Sequence, residues 1–170
     1  MDRLNSLPPG EAERELLACC GSREWARRMA AGRPFRDAAE LLERADATWW
    51  TLDEAAWREA FRSHPRIGEG KAEARQTERE RAWSADEQTG MRTAAEETQR
   101  ALAAGNRAYE ARFGFIYIVC ATGKTADEML ALLEQRLAND PATELRTAAE
   151  EQRKITRLRL EKLLAAHPFE

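Results

Sequence analysis

Helix-capping signals recur along this chain and constrain its fold more than any other feature of the sequence. A Ser or Thr followed three residues later by Glu, the pattern of a capping box, begins at Thr51, Ser84 and Thr125. Asp140 and Pro141 combine an N-cap residue with a proline at the first helical position. Alanine, glutamate, arginine and leucine dominate the sequence between these signals and favour helix. The sequence therefore predicts an all-α fold, a multi-helix bundle.

Apolar residues at helical spacing and helix-terminating residues place the individual helices. The predicted helices cover residues 8–19, 22–31, 37–49, 51–63, 84–104, 125–138 and 141–165, with a short one around Asn106 and Tyr109. Gly21 and Gly105 are expected to end the helices before them. Residues 65–83 begin as a glycine-rich loop, and helix and mobile segment both remain open for 71–81. The charges and glycines of 69–83 would also permit a lid.

One segment departs from the helical pattern. The run from Phe113 to Cys120, Phe-Gly-Phe-Ile-Tyr-Ile-Val-Cys, is β-branched and aromatic and predicts a short extended segment near 115–119. The sequence contains no second convincing strand to pair with it, yet its backbone N–H and C=O groups need partners. Either surrounding helices crowd the segment and water serves it, or a flat polar ligand does. The second alternative indicates a binding site.

Composition excludes several classes of partner. The 170 residues are expected to form one domain spanning 1–170. The 27 basic and 30 acidic residues are interleaved, which argues against nucleic acid as a partner. No apolar run approaches the roughly 20 residues of a membrane span. The first residues lack the apolar core of a signal peptide, and the last are not a peroxisomal address. A cytoplasmic protein is expected.

The cysteines support neither a disulfide framework nor a metal site. The chain has three, Cys19, Cys20 and Cys120, and no Cys-x-x-Cys or His/Cys cluster. We therefore expect all three to be small buried apolar side chains.

His64 is the candidate for proton chemistry. The chain has two histidines, and the other, His167, is close to the last residue of the sequence. Imidazole is the side chain whose ordinary pKa lies near neutral pH. Pro65 is expected to end the preceding helix, so that His64 lies at a helix end. A structural histidine that only bonds a nearby carbonyl is the competing interpretation.

Two other groups have both a structural and a functional interpretation. Ser84 and Glu87 form a capping box, but a capped helix N-terminus also suits a substrate carboxylate or carbonyl. Gln88 beside them offers a donor and an acceptor. On the last helix, most arginines are expected at the surface, but Arg159 lies between two leucines and could point inward to bind a carboxylate.

Taken together, these motifs resemble one family over nearly the whole chain. They are Trp25…Pro34-Phe35, Trp57…Ala60-Phe61, His64-Pro-Arg-Ile-Gly68, Ser84-x-x-Glu87-Gln88, Asn106-x-x-Tyr109-x-x-x-Phe113-Gly-Phe115 and Lys154-Ile155…Leu158-Arg-Leu160. The family is that of 2-oxo-4-hydroxy-4-carboxy-5-ureidoimidazoline (OHCU) decarboxylase, the last step from urate to S-allantoin. The resemblance implies an all-helical enzyme that needs no cofactor or metal and belongs to a family whose members are often homodimers.

The resemblance also implies a role for individual residues. His64 matches the catalytic proton donor, Glu87 a catalytic carboxylate, and Arg159 the catalytic arginine, with Arg157 as the alternative. The substrate-binding residues implied are Pro65, Ser84, Ala85, Asp86, Gln88, Phe115, Ile116, Tyr117, Ile118 and Val119. The flat edge of the substrate would supply the missing backbone partners of the extended segment.

Two interpretations from other classes stay open at this point. The chain could be a helical module that binds a purine breakdown product without converting it, which release of CO2 would test. It could also be a helical interaction protein in which His64 is a structural cap, which predicts no convergence of His64, Glu87 and 115–119.

Overall fold

The structure is a computed structural model that describes residues 1–67 and 96–166. Within these residues every regular element is a helix, so the predicted all-α fold is confirmed. The helices are α1 (Asp2–Ser6), α2 (Pro9–Cys20), α3 (Arg23–Ala31), α4 (Ala38–Trp50), α5 (Glu54–Phe61), α6 (Glu96–Phe113), α7 (Ala126–Leu137) and α8 (Pro141–Ala165). Helix α1 is not among the helices that the sequence predicts.

Several predicted helix starts are confirmed by their side-chain caps. The hydroxyl of Ser22 accepts from the backbone of α3, and Asp37 accepts from the N–H of Glu40 at 2.8 Å. Thr125 forms both halves of a capping box with Glu128. Asp140 accepts from the backbone N–H groups at the start of α8. The capping signals in the sequence therefore predict the first residue of each of these helices to within one position.

Two predicted helix boundaries are wrong. The capping box predicted at Thr51 is absent, because the Thr51 hydroxyl donates back to Thr48 and closes α4. Asp53 caps α5 instead, accepting from the N–H of Ala56 at 2.9 Å. Gly105 does not end a helix, since α6 runs through it to Phe113. Gly105 allows α6 and α7 to pack closely, because a Cβ at this position would lie 2.5 Å from the Cδ2 of Leu133 on α7.

Residues 115–120 are neither helix nor strand. The β-branched and aromatic side chains correctly exclude helix, but no neighbouring strand is present among the described residues to form a ladder with them. The segment is mostly buried, with Phe115, Tyr117, Ile118 and Val119 inside and Ile116 half-buried.

Several predictions lie outside the described residues. They are the loop, helix or lid predicted within 68–83, the helix start at Ser84, and the site residues Ala85, Asp86, Glu87 and Gln88. His167 also lies outside them.

The described residues form two compact units. The first contains Met1–Ala60 and the part of α8 from Arg153 onward. In it, α3 packs against α2 and α4. The indole N–H of Trp25 donates to the carbonyl of Ala45, and that of Trp57 to the carbonyl of Trp49. These three tryptophans are therefore core residues.

The second unit contains residues from Phe61 to Gln152. Here α6 packs against α7, and the non-helical segment 115–120 joins a cluster of aromatic rings. The prediction of a single domain over the whole chain stays a prediction.

All three cysteines are buried free thiols, which confirms that prediction. Among the described helices, none is both long and apolar enough to cross a membrane.

Candidate active site

His64 lies in the turn that follows α5. The helix ends at Phe61, and the backbone N–H of His64 donates to the Phe61 carbonyl at 3.2 Å. Pro65 disfavours helical geometry at His64, which explains why the helix stops here. The prediction that His64 lies at a helix end is confirmed, and the residue is only 9% exposed.

Two polar contacts hold the residues after His64 against α6. The guanidinium of Arg66 donates two hydrogen bonds, each 2.9 Å, to the carboxylate of Glu110. The side-chain amide of Asn106 donates to the carbonyl of Ile67 at 2.9 Å. A bidentate pair constrains orientation as well as distance. The backbone that carries His64 is therefore anchored downstream of the ring.

The imidazole itself is bonded to α8. Its Nε2 lies 2.7 Å from the Oε1 of Gln152, a side chain with no exposed surface. Gln152 is not among the residues that the sequence motifs predict. A signal for it exists, because it lies at helical spacing with the buried residues Ala148, Ala149 and Ile155 and is therefore a polar residue at a core position.

Phe61 connects the His64 turn with the predicted binding segment 115–119. Its ring centroid lies 5.2 Å from that of Phe115, and Tyr109 lies edge-on to Phe115 at 5.7 Å. The phenol of Tyr117 donates to the carbonyl of Met129 on α7. The structure therefore brings His64, Pro65 and the 115–119 segment into one compact unit.

Because no second strand pairs with this segment among the described residues, its backbone N–H and C=O groups need other hydrogen-bond partners. Side chains supply some of them. The Nη1 of Arg136 donates to the carbonyl of Ile118 at 2.7 Å. The N–H of Cys120 donates to Glu151, and the Cys120 carbonyl accepts from Lys124. The ligand predicted to serve this backbone is thus not needed at these atoms.

Arg136, which donates to the Ile118 carbonyl, belongs to a buried ionic cluster. Arg136 is bonded to Glu144 at 2.6 Å, and the phenol of Tyr109 donates to the same carboxylate. Burial alone would lower the pKa of Arg136, but the bonds and charge of Glu144 outweigh it and raise that pKa above its ordinary value. Burial raises the pKa of Tyr117 to about 12, so its phenol keeps its proton. Arg136 therefore remains a cation that clamps the segment.

The two candidate arginines have different surroundings in the first unit. Arg159 is 1% exposed, which confirms that it points inward. Arg157 is half-buried and donates to Asp46 at 2.9 Å, where Arg153 also binds at 2.7 Å. The ion pair with Asp46 therefore accounts for Arg157.

Metal ligation has no candidate in the described part of the chain. No three His, Cys, Asp or Glu side chains are grouped there so as to hold an ion.

Comparison with known proteins places these features in one family. The sequence profile of OHCU decarboxylase matches residues 5–161. The chain belongs to the OHCU decarboxylase family. It is 30% identical over 135 residues to 2-oxo-4-hydroxy-4-carboxy-5-ureidoimidazoline decarboxylase of Haloferax volcanii, covering 79% of this chain and 77% of that protein.

A solved structure shares the fold. The crystal structure of an OHCU decarboxylase in the presence of (S)-allantoin superposes with a TM-score of 0.77 at 37% identity, covering 89% of this chain and 97% of that one.

Two further matches cover half or less of the relative. The uric acid degradation bifunctional protein TTL of Arabidopsis thaliana is 36% identical over 153 residues, which are 90% of this chain but 47% of that protein. The match to the Amia calva decarboxylase covers 35% of this chain and 34% of that protein. The matched part of the chain therefore spans about half of the Arabidopsis protein and about a third of the Amia calva protein.

Proposed function

We propose that this protein decarboxylates OHCU to S-allantoin, the final step from urate to allantoin, without a cofactor. The observation that carries the proposal is His64, buried in a helix-end turn of a chain of this family and bonded through its ring to α8. The bond to be broken joins the ring carbon to the carboxylate. The adjacent C=N bond takes up the electron pair as CO2 leaves, so the substrate supplies its own electron sink.

The protein then has three tasks. It must hold the leaving carboxylate out of the ring plane, polarise the 4-hydroxyl or the ring, and return a proton to one face of the adjacent ureido-bearing carbon. We assign the proton to His64, the positioning of His64 or of a substrate N–H to Glu87, and charge neutralisation to Arg159. A positioned acid or base contributes about 10²- to 10⁴-fold to such a rate. Delivery to one face produces a single enantiomer.

Substrate contacts are proposed for the remaining family positions. Pro65 would line the site beside His64, and the backbone of 115–119 would bond the ureido-imidazoline edge at atoms that Arg136 does not occupy. Ser84, Ala85, Asp86 and Gln88 would form the other contact segment, with Gln88 holding the ring.

Release of CO2 from OHCU tests the activity, with the substrate freshly made by oxidising urate and hydrolysing the product. We expect release with the wild type and with His167→Asn, and none above the uncatalysed rate with folded His64→Asn. The two histidines make this a matched pair of substitutions. Full activity in His64→Asn would refute the assigned mechanism.

A second matched pair tests the arginine. Arg159→Gln should lower kcat, whereas Arg157→Gln, which breaks the pair with Asp46, should retain it. The reverse order of effects would assign the role to Arg157.

We further propose a homodimer in the cytoplasm. The family resemblance supports the dimer, and three free thiols suit a reducing compartment. Light scattering on the purified protein gives its mass, and a monomer at micromolar concentration would refute the dimer.

A further inference from the structure

Gln152 is a buried polar side chain to which the family resemblance gives no role. It lies on α8 and has no exposed surface. Burying a side-chain amide costs free energy unless it is hydrogen-bonded, so its position needs a reason. Its Oε1 is 2.7 Å from the ring of His64, 88 residues earlier in the chain.

The contact determines which ring nitrogen carries the proton. A carbonyl oxygen can only accept a hydrogen bond, so the Nε2 of His64 must donate to it. A neutral imidazole has one N–H, and the bond made by one nitrogen sets the state of the other. Nδ1 therefore holds the lone pair in the neutral ring.

The surroundings restrict the ring further. The His64 N–H is bonded to Phe61 before the ring, while the Arg66–Glu110 pair and the Asn106–Ile67 bond anchor the chain after it. With the backbone anchored on both sides, the bond to Gln152 fixes the orientation of the imidazole. A flip of the ring would break the bond from Nε2.

We propose that Gln152 is a positioning residue that holds His64 in the Nε2–H tautomer, so that the proton of the reaction passes through Nδ1. Its catalytic consequence rests on the proposed function. In that step the Nδ1–H bond of the imidazolium breaks and a C–H bond forms at the ureido-bearing carbon next to the one that has lost CO2. The proton of the 4-hydroxyl passes to the nitrogen of the former C=N bond, and the carbon that lost CO2 becomes the carbonyl of allantoin. The neutral ring keeps its proton on Nε2, and water returns a proton to Nδ1.

Nitrogen NMR of histidine-labelled protein reads the tautomer directly and needs no turnover. The chain has two histidines, and His167→Asn assigns the remaining signals to His64. On the neutral ring we expect a protonated Nε2 and a bare Nδ1 in the wild type. Gln152→Met, which has similar length but no strong acceptor, should give a mixture of tautomers. Gln152→Glu, whose carboxylate only accepts, should keep Nε2–H even if Gln152→Met folds poorly.

Kinetics separate positioning from a structural role. Gln152→Met should lower kcat by about 10- to 100-fold, since misplacing a reacting group costs on this scale, and change KM by less than about threefold. Gln152→Glu should recover part of kcat. The matched control is Gln135→Met, at an exposed glutamine of α7, which should change neither the tautomer nor kcat.

Different experimental results would overturn the role of Gln152 and the proposed decarboxylation. A wild type that releases CO2 but carries the proton of neutral His64 on Nδ1 overturns the inference alone, as does a Gln152→Met variant with unchanged tautomer and kcat. A wild type with the expected tautomer but no CO2 release refutes the proposed function and leaves the tautomer assignment supported.

Discussion

At the scale of single residues, Cys20 shows how burial changes acid–base behaviour. The thiol is fully buried, and loss of solvation raises its pKa from 9.0 to about 12, although bonds to Ser22 and Thr156 oppose this. The folded protein therefore keeps this proton over a range in which the unfolded chain releases it. The stability that this group contributes is complete below pH 9.0 and is lost as the pH rises toward 12.

We therefore predict that Cys20→Ala flattens the alkaline loss of stability. Between the two pKa values only the folded protein holds this proton. The free energy of unfolding therefore falls by about 1.4 kcal/mol for each pH unit of increase. Urea unfolding between pH 8 and pH 11 measures it, and the difference between wild type and variant removes the contributions of the tyrosines. Equal slopes in both proteins would show that the buried thiol does not titrate as described.

The sequence predicts some candidate site residues and does not point to others, for a physical reason. His64 is a candidate because Pro65 and the scarcity of histidine mark it, and Arg159 because leucines flank it. Gln152 and Arg136 were missed, because each acts through a partner distant in the chain. Their contacts, to His64 and to the Ile118 carbonyl, exist only after folding.

At the scale of elements, Gly105 determines how closely α6 approaches α7. Alanine at this position would gain about 1 kcal/mol of helix propensity, but its Cβ would lie 2.5 Å from the Cδ2 of the buried Leu133. We predict that Gly105→Ala destabilises the protein by about 1–3 kcal/mol, the usual cost of overpacking.

A double-mutant cycle checks the cause. Leu133→Ala removes the clashing atoms, so Gly105→Ala should be neutral or stabilising in that background. Additive losses, measured by urea unfolding, would show that the clash is not the reason for the glycine.

The cluster around Arg136 holds α7, α8 and the 115–119 segment together. Arg136→Met would leave the buried carboxylate of Glu144 without its cation, and we predict a loss of about 3–5 kcal/mol. The matched control is Arg23→Met, whose pair with Glu59 has the same 2.6 Å separation but an arginine side chain that is 80% exposed. That loss should be much smaller. Similar losses would contradict the role given to burial.

Element boundaries follow from sequence where a cap is local and not where tertiary packing competes. The caps at Ser22, Thr125 and Asp140 bond to N–H groups two or three residues away, so the sequence alone predicts them. Gly105 looks like a terminator locally, and only the presence of Leu133 explains it. The same limit applies to the 115–120 segment, whose backbone partners come from α7, α8 and Lys124.

At the scale of the whole molecule, an all-α chain of this family combines a buried histidine with a non-helical segment that we propose binds the substrate. Fold and family were both predictable, because helix signals are local and the motifs occur in a specific order. The reaction that we propose for this histidine and this segment requires that allantoin form quickly and as a single enantiomer.

The most direct test is circular dichroism of allantoin while urate is oxidised and hydrolysed in situ, with and without this protein. We predict rapid appearance of optically active S-allantoin with the wild type, lost in folded His64→Asn and retained in His167→Asn. Racemic allantoin formed at the uncatalysed rate by the folded wild type would contradict the account.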